Sequence, residues 1–479
     1  MHTLIFQRQQ HCLLSQLTLW IIANLLSDTG VSRITSCHNV SNRNNKDSGE
    51  SQKRPLQDCF DRHTIFLGFL LPTGVCWNPD YSVNPHMKSL EKFRDETRQW
   101  LAHNCPESVR HPGYVPIGSS KIELNPDTRL WLDRMGEKGW TTPTWPKEYG
   151  GAGLNRDEYR VLIEELQRIK ARPPLTGRGV NYIGPTILEF GTESQKAKWL
   201  AVCSAGKGAW AMGYSEPGAG SDLANLNTRA VKDGDNWVIN GSKIWTSDAT
   251  MCDYIFILCR TSPEKPKHNG ISLILVDMDQ PGVQVSPIAL ISGESPFCET
   301  YFENAIAPLD DLIGGIDNGW TVGKRLLQYE RSTHAGINTS GSEGGRDRSD
   351  YVLDLVLKNQ DRSANEPVSD NIRDHLISYK MTRQSIEATR QRVVEETKAL
   401  APGFASSAVK LSNALNVQDG DELIVKALGS SAFQWEDVSD KEHLSAMKRW
   451  LYQKSLTIAG GTKEVQLNII AKRVLGLPD

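Results

Sequence analysis

The 479-residue sequence predicts an α+β multidomain protein in which a module of short strands lies between two helical regions. Three observations support this fold class. Apolar residues recur at helical spacing over residues 87–210, short β-branched and aromatic runs fill residues 211–315, and helical spacing returns over residues 316–479. Because the strands occupy one stretch and do not alternate with helices, they favour a separate β domain over a βαβ sheet.

The composition is that of an ordinary soluble protein, with 39% hydrophobic residues, 23% charged residues and a formal net charge of -3. This near-neutral balance lacks the basic bias of nucleic-acid-binding domains, so a small molecule or another protein is the expected partner. The nine cysteines are odd in number and include no Cys-x-x-Cys spacing, which argues against a zinc site and a disulfide framework. A reducing compartment is therefore expected, and a bacterial cytoplasm is the predicted location.

Residues 1–86 differ from the rest and are predicted to be disordered or a spurious N-terminal extension. The polar stretch at 41–58 has no periodicity. The apolar patches at 17–26 and 64–77 are each shorter than the ~20 residues that cross a bilayer, so no stable membrane anchor is expected. Met87 opens an amphipathic helix, and the hypothesis is that the working protein begins near it.

Two segments carry the helical signal of the first region. In "DEYRVLIEELQRI" (157–169), apolar residues recur along one helical face. In "GPTILEFGTESQKAKWLAVCSAG" (184–206), Gly191 is expected to end one helix and Thr192 to cap the next, with Gln195 three residues on. The sequence thus predicts helix pairs with defined ends.

The middle region is predicted to be all β. Its strand candidates are "NWVINGSKIWTSDA", "DYIFILCRT", "ISLILVDMD" and "VQVSPIAL". Asp-Gly, Asn-Gly and Pro-Gly turns separate them. Cys252 and Cys259 lie in or beside an apolar run and are expected to be small core residues.

A glycine-rich loop, "MGYSEPGAGSDLANLNTRA" (212–230), lies at the start of the β module. Gly218 and Gly220 allow backbone N–H groups to approach a ligand closely. The loop lacks the G-x-G-x-x-G spacing and no strand–helix unit follows it, which excludes a Rossmann nucleotide site. Taken alone it is an ordinary turn, but "NGSKIWTSDA" follows it closely.

With these two segments together, the chain resembles the acyl-CoA dehydrogenase family of FAD flavoproteins. The loop is similar to the family's [TS]-E-P-x-A-G-S-D segment, and the second stretch to its W-[IT]-[TS] segment; in the family both clasp the isoalloxazine ring. Four more family segments occur in the expected order: "TTPTWPKEYGGAGL" (141–154), "FGTESQK" (190–196), "ENAIAPLDDLIGGIDNGW" (303–320) and the C-terminal "AGGTKEVQLNIIAKRVLGLP". The resemblance covers nearly all of residues 87–479.

The resemblance implies that six residues of these two segments bind FAD: Tyr214, Ser215, Gly220, Ser221, Trp245 and Ser247. Ser215 and Ser247 correspond to contacts at the flavin N5/O4 edge, and Trp245 to the residue against the ring. Ser221 corresponds to a pyrophosphate contact and also to a substrate contact.

Thr462 and Glu464 match family positions near the adenosine end of a neighbouring subunit's FAD. The alternative for both is structural. Thr462 would then cap a helix, and Glu464 would lie in its first turn, where the helix dipole favours an acidic side chain.

The fold implied by the resemblance is an N-terminal helical domain, a middle β-barrel-like domain and a C-terminal four-helix bundle. The implied reaction is α,β-dehydrogenation of an acyl-CoA thioester, in which a carboxylate removes the α proton and flavin N5 accepts the β hydride. Electron-transferring flavoprotein is the implied electron acceptor. The implied assembly is a homotetramer, a homodimer or a heteromer with a related subunit.

The position of the catalytic carboxylate differs between branches of the family. In many relatives it lies two residues before the threonine of a Y-E-G-T segment, a position that Gly460 occupies here. Glycine has no side-chain proton acceptor, although its backbone N–H could bind the thioester oxygen. In another branch a bundle-helix Glu directly before an Arg is the base, and "LLQYERSTHAG" supplies Glu330 and Arg331 there. Glu330 is therefore predicted to be the catalytic base, and Arg331 and Gly460 substrate contacts.

Two departures from the family pattern keep other functions open. "SGSEGGRDRSDYVLD" (340–354) stands where many members carry R-x-x-F-G, and its Arg346 and Arg348 do not fit that pattern. The glycine-rich segment of the bundle is reduced to "ALGSSAFQWE" (427–436). These features resemble a divergent bacterial branch that acts on steroid side chains and other bulky CoA thioesters. A non-catalytic partner subunit and a flavin-dependent acyl-CoA oxidase are the alternatives.

Overall fold

The computed structural model describes residues 85–334, 348–359, 369–396, 404–433, 435 and 441–478. Helices come first, a β-sheet follows, and helices return to the end of the chain. The predicted α–β–α fold class is confirmed. The leader predicted over residues 1–86 lies outside the described residues, apart from its last two positions.

The first helical region begins with three longer helices: α1 (Pro85–Asn104), α2 (Pro126–Glu137) and α3 (Arg156–Arg168). Shorter helical pieces follow them: a π turn (Gly179–Ile183), α4 (Gly184–Phe190), α5 (Glu193–Gln195), a second π turn (Lys196–Leu200) and α6 (Ala201–Ser204). Leu162 and Leu166 of α3 are buried, as the apolar spacing predicts. Thr192 caps α5 in a capping box with Gln195, which confirms that prediction.

A buried carboxylate joins α1 to α3. Glu165 of α3 is 1% exposed and accepts hydrogen bonds from Arg98, at 2.9 and 3.1 Å, and from Arg94 at 3.2 Å. Arg168 donates a further bond at 2.6 Å. A carboxylate this deeply buried is tolerated because three guanidinium groups surround it.

The middle region is an eight-stranded sheet with the order β6-β7-β3-β2-β4-β5-β8, and β1 pairs with β4. The strands are β1 (Trp210–Gly213), β2 (Arg229–Asp233), β3 (Asn236–Ser247), β4 (Tyr254–Arg260), β5 (Ile271–Asp277), β6 (Val283–Ile288), β7 (Phe297–Pro308) and β8 (Leu312–Ile313). The four strands predicted from the sequence are β3, β4, β5 and β6. Strands β1, β2, β7 and β8 were not predicted, and of these β7 is central to the sheet because it pairs with both β3 and β6.

The central strands β4 and β5 are buried on both faces, and alternate residues of β4 enter two separate cores. Phe256 and Leu258 pack with side chains of the first helical region and of the helix that follows the sheet. Ile257 and Cys259 pack inside the sheet module against β3 and β7. The sheet is therefore the layer onto which both helical regions fold.

The last region consists of helices α7 (Gly319–His334), α8 (Arg348–Asn359), α9 (Asp370–Glu396), α10 (Ser406–Leu428), α11 (Lys441–Gln453) and α12 (Lys463–Ile469). Helix α10 contacts each of the other five. Arg346 lies outside the described residues, and the side chain of Arg348 is not described. Among the described residues, no helix is both long enough and apolar enough to cross a membrane.

Replacing Glu165 by Gln is expected to lower the free energy of unfolding at pH 7 by about 2–3 kcal/mol. Hydrogen bonds from the arginines, with Arg98 first, outweigh burial and lower the pKa of Glu165 to about 2. A carboxyl whose folded pKa lies below its unfolded value stabilises the fold above that unfolded value and loses the contribution as the pH falls. Urea unfolding followed by tryptophan fluorescence should therefore show the deficit of the variant shrinking below about pH 4.3.

The matched control is Glu164→Gln. Glu164 binds Arg94 at 2.6 Å and Arg160 at 3.0 Å, but its side chain is 39% exposed. Exposed pairs are worth about 1 kcal/mol or less, so this variant should remain close to wild type. Equal losses in the two variants, or a Glu165→Gln deficit that is constant with pH, would contradict the assignment.

Candidate functional site

The glycine-rich loop leaves β1 and folds back onto β3. The backbone of Glu216 pairs with Ala219 through two hydrogen bonds of 3.0 Å, which closes the tight turn. Ile244 N–H donates to the Ser215 carbonyl at 2.9 Å, so Ser215 lies beside the segment that carries Trp245. The structure thus brings together the two segments that the sequence analysis singled out.

A buried ion pair fixes this loop. Lys243 is 0% exposed, and its Nζ donates to Glu216 Oε1 at 2.8 Å and to the Tyr214 carbonyl at 3.2 Å. The Glu216 carboxylate also accepts the backbone N–H groups of Asn227 at 2.7 Å and Thr228 at 2.9 Å. Burial alone would raise the pKa of Glu216, but Lys243 and these donors hold it below its ordinary value. Glu216 therefore stays charged and ties both ends of the loop to the sheet.

Trp245 is presented by a distortion of β3. The register of β3 against β7 shifts between Lys243 and Thr246, and Trp245 has a φ of 63°. A positive φ is unusual for a bulky residue, and such strained backbone conformations cluster at functional sites. The indole is 51% exposed and contacts the Phe297 ring edge-on, with centroids 6.0 Å apart. Phe297 in turn stacks on Tyr452 of α11.

The glycine-rich loop and the Trp245 segment together have the groups that a flat ring with an anionic tail requires. Within the described part of the chain, the hydroxyls of Ser215, Ser221 and Ser247 have no hydrogen-bond partner. A Cβ added at Gly218 or Gly220 would meet nothing within 4 Å. Free hydroxyl donors, open backbone and a half-exposed indole fit the isoalloxazine and pyrophosphate of FAD. Tyr214 differs from these residues, because its ring is 3% exposed and packs edge-on against Phe256 in the core.

Glu330 and Arg331 lie on α7 and are buried, with 7% and 8% exposure. Leu326, one turn before Glu330, is 0% exposed, and Leu327 is partly buried. The expectation that Glu330 faces inward with these leucines is confirmed. A buried carboxylate on a core-facing helix is costly to maintain unless it has a charged neighbour or a function.

Other titratable groups converge on Glu330 from three elements. Tyr182 comes from the π turn before α4, Tyr214 from the end of β1, and Lys410 from α10. Burial first, and then the charge of Glu330, raises the pKa of the Tyr182 and Tyr214 phenols, so both stay neutral. Burial lowers the pKa of Lys410, and Glu330 opposes that change.

The turn that carries Gly460 is tied to this cluster. Gly460 and Gly461 have φ values of 66° and 98°, in the left-handed region that favours glycine. Lys410 Nζ donates to the Gly461 carbonyl at 3.0 Å, and Gln466 Nε2 donates to the Gly460 carbonyl at 2.8 Å. A side chain at position 460 would have to adopt this strained backbone.

Thr462 and Glu464, which follow this turn, have the helix-capping positions that the structural alternative predicts. Thr462 caps α12, accepting the N–H of Val465 at 3.2 Å, and Glu464 lies exposed in the first turn. Their contribution to a neighbouring FAD stays a prediction.

A separate cleft of about 770 Å³ lies elsewhere, between the α4–α5 segment and the sheet. It is lined by Glu189, Phe190, Gln195, Trp237, Asp310 and Ile316, among others. None of the predicted site residues lines this cleft, so the cleft is not the predicted FAD and substrate site.

Family comparisons agree with this geometry. The family model for the acyl-CoA dehydrogenase N-terminal domain matches residues 88–207, the middle-domain model residues 211–305 and the C-terminal-domain model residues 317–475. The chain belongs to the acyl-CoA dehydrogenase family. Members of this family are FAD-dependent flavoproteins, and the chain is an oxidoreductase of this kind.

Individual acyl-CoA dehydrogenases match over most of their length. Acyl-CoA dehydrogenase IpdE1 of Mycobacterium tuberculosis is 34% identical over 394 residues, which are 82% of this chain and 99% of the relative. The solved structure titled Tcur3481-Tcur3483 steroid ACAD is 31% identical, with a TM-score of 0.63, covering 82% of this chain and 98% of that one. The ChsE4-ChsE5 complex from Mycobacterium tuberculosis is 28% identical, with a TM-score of 0.61, covering 83% and 99%.

Lys243, Tyr182 and Lys410, which adjoin the predicted site residues, were not predicted from the sequence. Lys243 occupies an inward position of β3, and a charged residue at an inward strand position was a usable signal. Lys410 interrupts a buried run of α10 in the same way. Tyr182 carried no signal, because a tyrosine beside a helix start is common in any core.

Lys243→Met is expected to destabilise the protein by about 3–5 kcal/mol and to reduce the FAD that it retains. The substitution leaves Glu216 buried without its cation, and that charge holds both ends of the loop. Thermal unfolding and the flavin-to-protein absorbance ratio after gel filtration measure the two effects.

The control is Lys267→Met, because Lys267 bonds Asp222 of the same loop at 2.8 Å while both side chains are exposed. This variant should lose about 1 kcal/mol or less and keep its flavin. Equal effects in the two lysine variants would show that the buried pair does not determine the conformation of the loop.

Proposed function

We propose that this chain oxidises an acyl-CoA thioester to the trans-2-enoyl-CoA, with Glu330 as the base that removes the α proton. The observation that carries the proposal is a buried carboxylate on α7 that shares its surroundings with the end of β1 and, through Lys410, with the Gly460 turn. We also propose domains over 87–210, 211–315 and 316–479.

Each residue of the site has a distinct task in this reaction. Glu330 accepts the α proton, while apolar neighbours such as Leu326 exclude water from the carboxylate. The backbone N–H of Gly460 stabilises the charge that develops on the thioester oxygen. Arg331, beside Glu330 and buried, contributes a cation to the substrate side of the site.

Ser215, Ser221, Trp245 and Ser247 would hold FAD, which supplies a hydride acceptor when it is bound. The indole of Trp245 would lie against the ring of the bound group, and the three hydroxyls would donate hydrogen bonds to it. The α proton of the substrate passes to Glu330. The family resemblance supports electron-transferring flavoprotein as the acceptor that restores the oxidised cofactor.

The proposed substrate is a bulky, ring-bearing acyl-CoA. Support comes from the solved structure that is titled a steroid ACAD, which this chain matches at 31% identity over nearly the whole length of that chain. The test is anaerobic bleaching of the flavin by a panel of acyl-CoA esters, from butyryl-CoA to a steroid side-chain CoA ester. Faster bleaching by straight-chain esters would contradict the proposed substrate class but not the reaction.

A subunit of a hetero-oligomer is the second candidate. The titles of two matched structures, Tcur3481-Tcur3483 and ChsE4-ChsE5, name pairs of proteins. A chain purified alone that carries one FAD per polypeptide and bleaches with substrate would exclude a purely non-catalytic role. A colourless chain that gains flavin only with a related subunit would favour it.

Ser221→Ala is expected to weaken FAD binding by about 1–3 kcal/mol, or about 5- to 150-fold, because a phosphate oxygen loses a charge-assisted donor. Titration of apoprotein with FAD, followed by the quenching of flavin fluorescence, gives the dissociation constant. Ser286→Ala, on the exposed edge strand β6, is the control and should bind as wild type. An unchanged dissociation constant for Ser221→Ala would remove Ser221 from the site.

Glu330→Gln is expected to fold, to retain FAD and to lose at least about 100-fold in turnover, the usual scale for a lost general base. The variant keeps the size of the side chain and removes only its ability to accept a proton. Steady-state turnover with a dye acceptor and the rate of flavin bleaching measure the loss.

The control for this variant is Glu189→Gln. Glu189 of α4 accepts hydrogen bonds from Arg325 at 2.7 Å and from Tyr329 at 3.0 Å, both on α7, but it lies near the surface. It perturbs α7 without removing the buried carboxylate, so turnover should stay within about threefold of wild type. Turnover near the wild-type rate in Glu330→Gln would show that the base is another residue.

A further inference from the structure

We propose that Thr246, together with Thr300, is a positioning residue for Trp245, and that their hydroxyl groups tie the irregular part of β3 that presents the indole to strand β7. The inference rests on the proposed place of Trp245 against the ring of FAD. It adds two residues that do not face the cofactor surface themselves, since both threonines are 0% exposed.

The irregular part of β3 is a bulge that needs support. Two residues of β3, Ile244 and Trp245, stand opposite one residue of β7, Glu299. A bulge of this kind leaves a residue without a partner in the ladder and changes the direction of its side chain. Trp245 has the positive φ of 63° at this point. A bulky residue keeps such a backbone only when the surrounding structure imposes it.

The residue before Trp245 is held by the glycine-rich loop. Ile244 N–H donates to the Ser215 carbonyl at 2.9 Å. This bond fixes the peptide that joins Lys243 to Ile244, but it does not fix the two peptides of Trp245 itself. The conformation of Trp245 therefore depends on a second attachment, on its C-terminal side.

Thr246 supplies that second attachment. Its hydroxyl donates to the Cys298 carbonyl at 2.8 Å and lies 2.8 Å from the Thr300 hydroxyl. Because the single hydroxyl proton of Thr246 goes to the carbonyl, Thr300 is the donor in the second bond. One side chain of β3 is thus bound to the residues of β7 on both sides of Glu299. The neighbours of Trp245 are then attached on both sides of it.

The burial pattern of β3 separates this task from contact with the cofactor. Thr246 is buried, whereas Trp245 is exposed and Ser247 is partly exposed. Alternate residues of a strand face opposite sides of the sheet. Thr246 therefore acts on the cofactor surface only through the backbone of its neighbours.

A purely structural role for the two hydroxyls predicts a different result. Removing one partner of a buried hydrogen bond is costly, but replacing both partners by apolar groups of the same shape is nearly neutral for stability. A double variant with valine at both positions should therefore recover most of the stability that Thr246→Val alone loses. It cannot restore the bond to the Cys298 carbonyl, so stability and positioning separate in these two variants.

The experiment compares Thr246→Val, Thr300→Val, the double variant and Thr246→Ser, which keeps the hydroxyl. Thermal unfolding measures stability. Hydrogen–deuterium exchange of residues 243–248 in the apoprotein measures the bulge without the cofactor. Titration with FAD and the visible circular dichroism of the bound flavin, which depends on how the ring is held, measure the cofactor surface.

The matched control is Thr141→Val. Thr141 is 7% exposed, and its hydroxyl donates to the Ser204 carbonyl at 2.7 Å in the first helical region. This variant also removes a buried bond from a threonine to a backbone carbonyl. It should lose stability while the exchange of residues 243–248, the affinity for FAD and the dichroism stay at their wild-type values.

Thr246→Val and the double variant are expected to exchange faster over residues 243–248 and to bind FAD about 10-fold more weakly, with an altered dichroism of the flavin. Thr300→Val keeps the bond from Thr246 to Cys298, so its dissociation constant should stay within about threefold of wild type. Thr246→Ser should resemble wild type in exchange, affinity and dichroism.

Two results would overturn the inference. One is an affinity for FAD that follows stability, so that the double variant recovers both. The other is a Thr246→Val variant with wild-type exchange and dichroism. The proposed cofactor surface is tested separately by Trp245→Ala, which should weaken FAD binding. If Trp245→Ala binds FAD as wild type does, the proposed place of Trp245 fails and this inference fails with it. If Trp245→Ala binds FAD weakly and Thr246→Val behaves as wild type, only the present inference fails.

Discussion

The ion pair of Glu216 and Lys243 is the interaction on which the rest of the site depends. Both groups are buried, and the desolvation of two charges is repaid only when every polar atom is satisfied. Here the carboxylate receives one ammonium and two backbone N–H groups, and the ammonium also reaches the Tyr214 carbonyl. These bonds define the path of a loop whose glycines leave it otherwise unrestricted. The buried pair thus holds the glycine-rich loop, the proposed cofactor surface, in one conformation.

A second constraint is that no single region of the chain forms the site. The loop belongs to the sheet, Glu330 to α7, and the Gly460 turn to the last segment, while α10 contacts α7 and α12. Two of the regions are joined by one apolar core, in which Phe256 and Leu258 of β4 pack with Val322 and Leu326 of α7. That core holds α7, and with it Glu330, against the sheet that carries the glycine-rich loop.

The sequence predicts the elements better than it predicts the contacts. Strands β3 to β6 follow from β-branched runs and turn dipeptides, and the inward face of α7 follows from the spacing of Leu326, Leu327 and Glu330. Strand β7 was missed because its run mixes Glu299, Glu303 and Asn304 with apolar residues, as expected where alternate positions face solvent. Lys243 and Lys410 stand out in the pattern as charged residues at buried positions, but their partners are backbone atoms and side chains distant in sequence, which periodicity does not report.

Positions 460 and 330 differ in the backbone and the surroundings that they offer to a carboxylate. Gly460 has a left-handed backbone, so a glutamate there would be strained by about 1 kcal/mol before it reached any substrate. Helix α7 offers its carboxylate a backbone without that strain, and a core that already excludes water. The turn is left with its peptide groups, which Lys410 and Gln466 hold in place. In the proposed reaction, the carboxylate on the helix would remove a proton, and the turn without side chains would stabilise the charge that its removal leaves.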